Sequence, residues 1–157
     1  MPPLTSRASV EQCLDRLLEL GYHSAVTAAL RASDAHVFHL AGFSVRERLH
    51  VLRHDLAALD ELRDAFGHRD PAVELRRARR RDRPAVLAVD RRAFEPFWAL
   101  GPDGLEEALT ATSTVRFRVA EHGERVVGYA VCGRSLDVGY LQRLAVHPDH
   151  SRHGTGA

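Results

Sequence analysis

The stretch from Tyr140 to Ala157 gathers the residues best suited to chemistry. It opens with an apolar run, Tyr140 to Val146, and ends in a turn carrying Gly154 and Gly156. A strand feeding a glycine turn outlines a phosphate cradle. Glycine lets the backbone approach an anion, and the N-terminus of a following helix offers free N–H groups and a favourable dipole. A GxG alone is a weak signal, because most such loops are plain turns. Tyr140 and Gln142 can donate or orient a proton. Two apart, they share a strand face with Leu144, and the bland alternative is that they are ordinary sheet residues. Glu121 and His147 are further acid–base candidates. His147, His150 and His153 recur every three residues. Their loop carries Pro148 and lacks Cys or carboxylate partners at ligand spacing, so no metal site is expected. Solvent or a ligand's phosphates are the expected neighbours of these rings.

These residues need elements to position them. Val73 to Ala78 reads as a strand running into an arginine cluster. Asp82 followed by Pro84 is a helix start, and Val86, Val89, Ala93 and Phe94 give that helix an apolar face. Pro96 and the Gly101-Pro102 pair break the chain, and Asp103 to Leu109 reads as a second helix. Val115, Phe117 and Val119 alternate with Arg116 and Arg118, the pattern of a half-exposed strand. His122-Gly123-Glu124 then turns into a strand from Val126 to Cys132, which predicts a hairpin. Tyr140 to Val146 is the last strand. Phe94, Phe97 and Trp98 fit either a substrate pocket or a core. The cluster from Arg76 to Arg81 reads as a solvated strand end rather than a surface for nucleic acid, since no aromatics interleave it.

The first half reads as helix (Leu14 to Leu20, stopped by Gly21), strand (Ser24 to Leu30), helix (Ser33 or Asp34 to Leu40, stopped by Gly42) and strand (Val45 to Leu52). Leu56 to Phe66 has helical spacing, and Gly67 to Pro71 reads as a linker. The expected domains are therefore 1–67 and 72–157.

The order in the second half, and the run of Leu144-Ala145-Val146, His147-Pro148-Asp149-His150 and the glycine turn, resemble the GNAT N-acetyltransferase superfamily and its motif A. The resemblance covers about residues 72–157. It implies an α/β fold with a mixed, mostly antiparallel sheet flanked by helices. It also implies an acyltransferase that moves an acetyl group from acetyl-CoA to an amine by direct attack. In that family the strand backbone pairs with the pantetheine arm, which carries over to Leu144 and Val146. A backbone amide of Ala145 or Val146 would meet the thioester oxygen. Arg152, His153, Gly154, Thr155, Gly156 and Ala157 carry over as the pyrophosphate loop. Tyr140 and Gln142 are the candidate catalytic residues. Two positions depart from the pattern. Ser151 stands where the family has Gln or Arg, so it brings a hydroxyl but no amide or guanidinium. Ala157 falls in the first turn of the expected pyrophosphate helix.

The first half is similar to the second half of a GNAT domain, with Ala41-Gly42-Phe43 matching its helix-ending Gly-Phe. Phe38 stands where the family often has a Tyr general acid. The fold is thus expected to be incomplete or permuted, residues 1–67 being a degenerate half-domain or the piece that completes the sheet. The alternative function is a non-catalytic CoA-binding or dimerisation module. An unfinished sheet exposes an edge, so a homodimer is expected.

Bulk properties agree with an enzyme of modest charge. The formal net charge is +1, which gives no global field for nucleic acid or an anionic membrane. All 22 basic residues are Arg, and Lys, Ile and Asn are absent, a pattern of GC-rich codon usage. No run approaches the roughly 20 apolar residues of a membrane helix. No signal peptide is apparent, and the two cysteines, Cys13 and Cys132, form no CxxC, so a cytoplasmic setting is expected.

Overall fold

The computed structural model describes residues 6–56 and 70–156. Contacts divide the chain into Met1–His54 and Asp55–Ala157. The expected helix over 56–66, beyond its first residue, and most of the linker after it lie outside the described residues.

In the first unit, α1 (Arg7–Glu19) begins at Ser6, whose side chain accepts from Ser9 N–H. It starts earlier than the apolar spacing predicts because this cap lies upstream of the first leucine. α2 spans Ala32–Leu40. Both helices end the same way. Gly21 and Gly42 take φ values of +84° and +89°. Tyr22 N–H then reaches Leu17 C=O, and Phe43 N–H reaches Phe38 C=O, each at 3.0 Å. These are Schellman closures, in which glycine adopts the left-handed conformation without a Cβ clash. The Phe38 and Phe43 rings meet edge-on at 5.4 Å, the apolar contact that accompanies such a closure. The strands expected at 24–30 and 45–52 are not formed; both stretches are irregular. Among the described residues their β-branched residues have no hydrogen-bonded partner strand, and propensity without a ladder does not make a sheet. The element that a permuted sheet requires at 24–30 is therefore missing.

The second unit is built on a wholly antiparallel four-stranded sheet in the order β1-β2-β3-β4. Its strands are β1 (Val73–Arg77), β2 (Thr114–His122), β3 (Arg125–Ser135) and β4 (Val138–Val146). A short 3-10 turn, Arg80–Asp82, leads into α3 (Arg83–Ala93), and α4 spans Pro102–Thr110. Pro84 and Pro102 sit in the first turns, where a missing N–H costs nothing. One sheet face carries the core. Val119, Tyr129, Val131 and Ala145 pack there with Val86 and Val89 of α3 and Leu105 of α4. Each fully buried Val or Leu contributes roughly 1.5–3 kcal/mol. The fold is thus α/β with an antiparallel sheet flanked by helices, as expected.

Two β-bulges interrupt the ladders. The register steps between Ala120 and Glu121 against β3, leaving Val127 as the extra residue. It steps again between Val131 and Cys132 against β4, leaving Gln142 as the extra residue. A bulge flips the face assignment of everything on one side of it.

Candidate active site at the β4 edge and glycine loop

Beyond the sheet proper, His147 N–H donates to Val127 C=O at 2.7 Å, in register with the Val146–Gly128 pair. Antiparallel pairs alternate between hydrogen-bonded and non-bonded. Ala145 and Tyr129 are therefore the next bonded pair, and the N–H and C=O groups of Leu144 and Val146 point away from β3. No strand lies beyond β4 among the described residues. Leu144 and Val146 thus present an open row of backbone donors and acceptors. Ala145 does not: its amide is turned inward, and its side chain is buried at 4% exposure. Of the two amides considered for the thioester oxygen, only that of Val146 faces out.

The glycine loop follows after residues 147–151, where every backbone N–H is bonded within the sheet or the turn, Pro148 having none. Pro148–His150 makes a 3-10 turn. The chain then passes through positive φ at Arg152 (64°) and Gly154 (74°). It returns against the sheet face opposite α3. There Thr155 Cγ2 lies 3.6 Å from the point a Cβ on Gly128 would occupy. A Cβ on Gly156 would meet Val146 at 3.5 Å. Thr155 is buried, and its hydroxyl reaches His150 C=O at 3.4 Å. Among the described residues, none accepts a hydrogen bond from the N–H groups of Arg152, His153, Gly154, Thr155 or Gly156. Consecutive unpaired amides beside a guanidinium suit an anion. Residues 151–156 are turns and bends, not the opening of a helix. Ser151 spends its hydroxyl on His147 C=O at 3.3 Å. Ala157 lies outside the described residues.

Tyr140 and Gln142 do not share a face with Leu144, because the bulge at Gln142 intervenes. Tyr140 pairs with Gly133, two along from the core residue Val131, and is 47% exposed. Gln142 Nε2 lies 3.4 Å from Thr112 Oγ1. Its Oε1 is buried and has no partner among the described residues. Leu144 faces the opposite side with Ala130.

The largest polar feature near β4 escaped sequence reading. Asp90, fully buried in α3, accepts from Arg143 through Nε at 2.9 Å and Nη2 at 3.0 Å. It also accepts from Tyr129 Oη at 2.5 Å and from Leu100 N–H at 2.6 Å. Arg143 further donates to Trp98 C=O at 2.6 Å and lies over the Phe94 ring at 3.5 Å. Burial alone would raise the Asp90 pKa, but the hydrogen bonds from Arg143, Tyr129 and Leu100 outweigh it and hold the carboxyl below its usual range. Burial, then Asp90, pushes the Tyr129 phenol up. This cluster locks β4 just beyond its bulge onto α3 and the 94–100 loop. No sequence signal marks it: a lone Asp on an apolar helix face is the only hint.

Glu121 is not a free base. Arg76 holds it, donating Nε to Oε2 at 2.7 Å and Nη2 to Oε1, and the same guanidinium grips Asp82 at 2.7 and 2.9 Å. The hydrogen bond from Arg76 lowers the Glu121 pKa. Arg76 is therefore a structural anchor rather than part of a solvated run. His147 and His150 have ring centroids 6.2 Å apart, and His150 lies 5.2 Å from His122. Among the described residues no group of three His, Cys, Asp or Glu is placed to hold a metal. Phe97 and Trp98 meet edge-on at 4.9 Å beside the Arg143 cluster. No helix among the described residues is long and apolar enough to cross a membrane.

Residues 73–157 match the family model described as Acetyltransferase (GNAT) family. No curated protein matches the chain. Among solved structures, the chain is similar to the ribosomal-protein-S18-alanine N-acetyltransferase from Escherichia coli, with 19% identity and a TM-score of 0.48. The match covers 54% of this chain and 52% of that one, so the chain spans about half of that protein's length.

Proposed function

The chain belongs to the acetyltransferase (GNAT) family, and from that premise we propose that it binds acetyl-CoA along β4 and transfers the acetyl group to an amine. The observation that carries this reading is a pair of neighbouring sets of backbone groups with no partner among the described residues: the N–H and C=O of Leu144 and Val146, and the amides of Arg152 through Gly156. The strand edge suits the amide-bearing pantetheine arm. The loop amides and Arg152 suit the pyrophosphate, and the glycine at 154 keeps that approach open.

Acetyl-CoA supplies the activated acyl group. The neutral amine forms the new C–N bond, the C–S bond breaks, and the thiolate takes up a proton. Negative charge develops on the carbonyl oxygen, and an outward N–H of β4, Val146 or Leu144, is the donor proposed to meet it. Tyr140 and Gln142 are the side chains proposed to serve proton transfer and acceptor orientation on the other side of the bulge. Ala145 contributes position rather than a hydrogen bond.

The experiment is the thermal midpoint of the purified chain with increasing acetyl-CoA. A ligand that binds only the folded state stabilises it by about 2.7 kcal/mol at a hundred times its dissociation constant. A dose-dependent rise followed by turnover of an amine panel is expected. A flat midpoint from a folded sample overturns the reading.

The free β4 edge also favours a second reading, a non-catalytic module that pairs edge to edge with a second copy. Light scattering distinguishes it: a dimer whose dissociation is promoted by acetyl-CoA supports competition for the same edge, and a monomer at micromolar concentration removes it.

A further inference from the structure

The opposite edge of the sheet carries a second, strongly basic groove of about 750 Å³. Its walls are the turn after β1, with Arg79 and Arg80, the first residue of α3, Arg83, and residues Glu106 and Leu109 of α4; its floor is the start of β2. Arg77, Arg116 and Arg118 complete a set of six arginines against one carboxylate, Glu106. That carboxylate is already paired with Arg83 at 2.9 Å. Arg77 and Arg118 lie directly opposite each other across β1 and β2. Like charges so placed are destabilising unless something neutralises them. Among the described residues, the side chains of Arg77, Arg80, Arg116 and Arg118 make no ion pair.

The groove floor is an open strand edge. Ala78 N–H donates to Phe117 C=O at 3.0 Å and continues the β1–β2 register by one residue. The chain then leaves into the 3-10 turn at Arg80. By antiparallel alternation, Val115 is the next β2 residue whose N–H and C=O point outward. Among the described residues nothing bonds them there.

We propose that this groove binds an extended acidic peptide, which adds alongside β2 at Val115 and sets its carboxylates against the surrounding arginines. Guanidinium forks match carboxylates, and a strand edge supplies main-chain hydrogen bonds that need no particular sequence. The main-chain edge favours a peptide over nucleic acid. A single-stranded nucleic acid gains affinity by stacking its bases on open aromatic faces, and the one aromatic lining residue, Phe117, is engaged edge-on with Tyr129 at 6.3 Å. The groove floor on β2 is separated from β4 by β3, so it is distinct from the proposed acetyl-CoA edge.

The test is fluorescence anisotropy of labelled hexaglutamate with the full chain, at low and high salt. Binding that weakens with salt is expected, with about tenfold loss in Arg116→Glu/Arg118→Glu, as several charge contacts vanish together. The acetyl-CoA response of that variant stays at the wild-type level. If it does not fold, Arg77→Glu/Arg80→Glu, at exposed positions, is expected to show the same loss. A backbone N-methylated hexaglutamate is expected to bind more weakly than the unmodified peptide; equal binding rejects strand addition. Failure of the folded wild type to bind hexaglutamate, or equal affinity in the variants, overturns the proposal. Tighter binding of an oligouridylate of the same length overturns it in favour of nucleic acid.

Discussion

Arg143 of β4 and Asp90 of α3 form a two-pronged ion pair, Nε to Oδ2 at 2.9 Å and Nη2 to Oδ1 at 3.0 Å. The pair sits next to the bulge at Gln142. It ties the strand that presents the proposed cofactor edge to the most buried helix of the unit.

Removing one partner leaves the other charged and buried. Asp90→Ala is expected to cost about 3–5 kcal/mol, read as a fall in the urea midpoint. Asp90→Asn, which keeps the volume and can still accept from Leu100 N–H, is expected to lose less. If Asp90→Ala unfolds at the wild-type midpoint, the cluster is not what holds β4.

Acid should unfold the domain through its paired carboxylates. The hydrogen bond from Arg76, above all, holds Asp82 down at about 2, from an ordinary 3.8. Between those values the unfolded chain binds more protons than the native one, so stability falls as pH falls. The contribution is fully present above about pH 4 and is lost on approaching pH 2. Glu121 and Asp90, also lowered, add to the same slope. Arg76→Met is expected to lower stability at neutral pH and to flatten the acid limb. A parallel acid limb in that variant would reject the assignment.

Neighbouring prolines separate the two directions of the β4 backbone. Val146→Pro removes an outward N–H and no ladder bond, so the fold is expected to survive while the acetyl-CoA response is lost. Ala145→Pro removes the inward N–H and leaves Tyr129 C=O buried without its donor, at a cost of about 1–3 kcal/mol. Denaturation and acetyl-CoA titration of both variants read the contrast; equal behaviour counts against the alternation derived from His147.

Gly154 has φ +74°, a region where a β-branched residue is strained. Gly154→Val is expected to shift the loop by about 1–3 kcal/mol of strain, abolishing the acetyl-CoA response with little change in core melting. Gly139→Ala, in open space at ordinary φ, serves as the control and is expected to be silent.

Gln142 Oε1 is buried without a partner among the described residues, an arrangement that costs stability. Gln142→Leu is expected to raise stability by about 1 kcal/mol and to lower kcat/KM for acetyl transfer. A stabilised variant with full activity would leave Gln142 as a residue of the sheet alone.

The sequence by itself determined the local elements of residues 73–156 and the nature of the loop. Asp82 with Pro84 marked a helix start, Gly101-Pro102 marked a break before the second helix, the alternation from Val115 to Val119 marked a strand, and Gly154 with Gly156 marked a turn. These signals are local: a cap, a period or a forbidden dihedral acts within a few residues. The same local reading failed at 24–30 and 45–52, where β-branched residues suggested strands but no partner strand lies among the described residues. Strand formation is decided by pairing between distant segments, which propensity does not encode. Only the tertiary structure decided which side of β4 each residue serves. The extra residue at Gln142 separated Tyr140 from Leu144, and the bond from His147 to Val127 turned Val146 outward and Ala145 inward. It also decided that Asp90, Tyr129 and Arg143, 39 and 53 residues apart from Asp90 in sequence, form one buried cluster. Burial removes water's competition for these charges, and the register of the sheet and the packing of α3 set where burial falls.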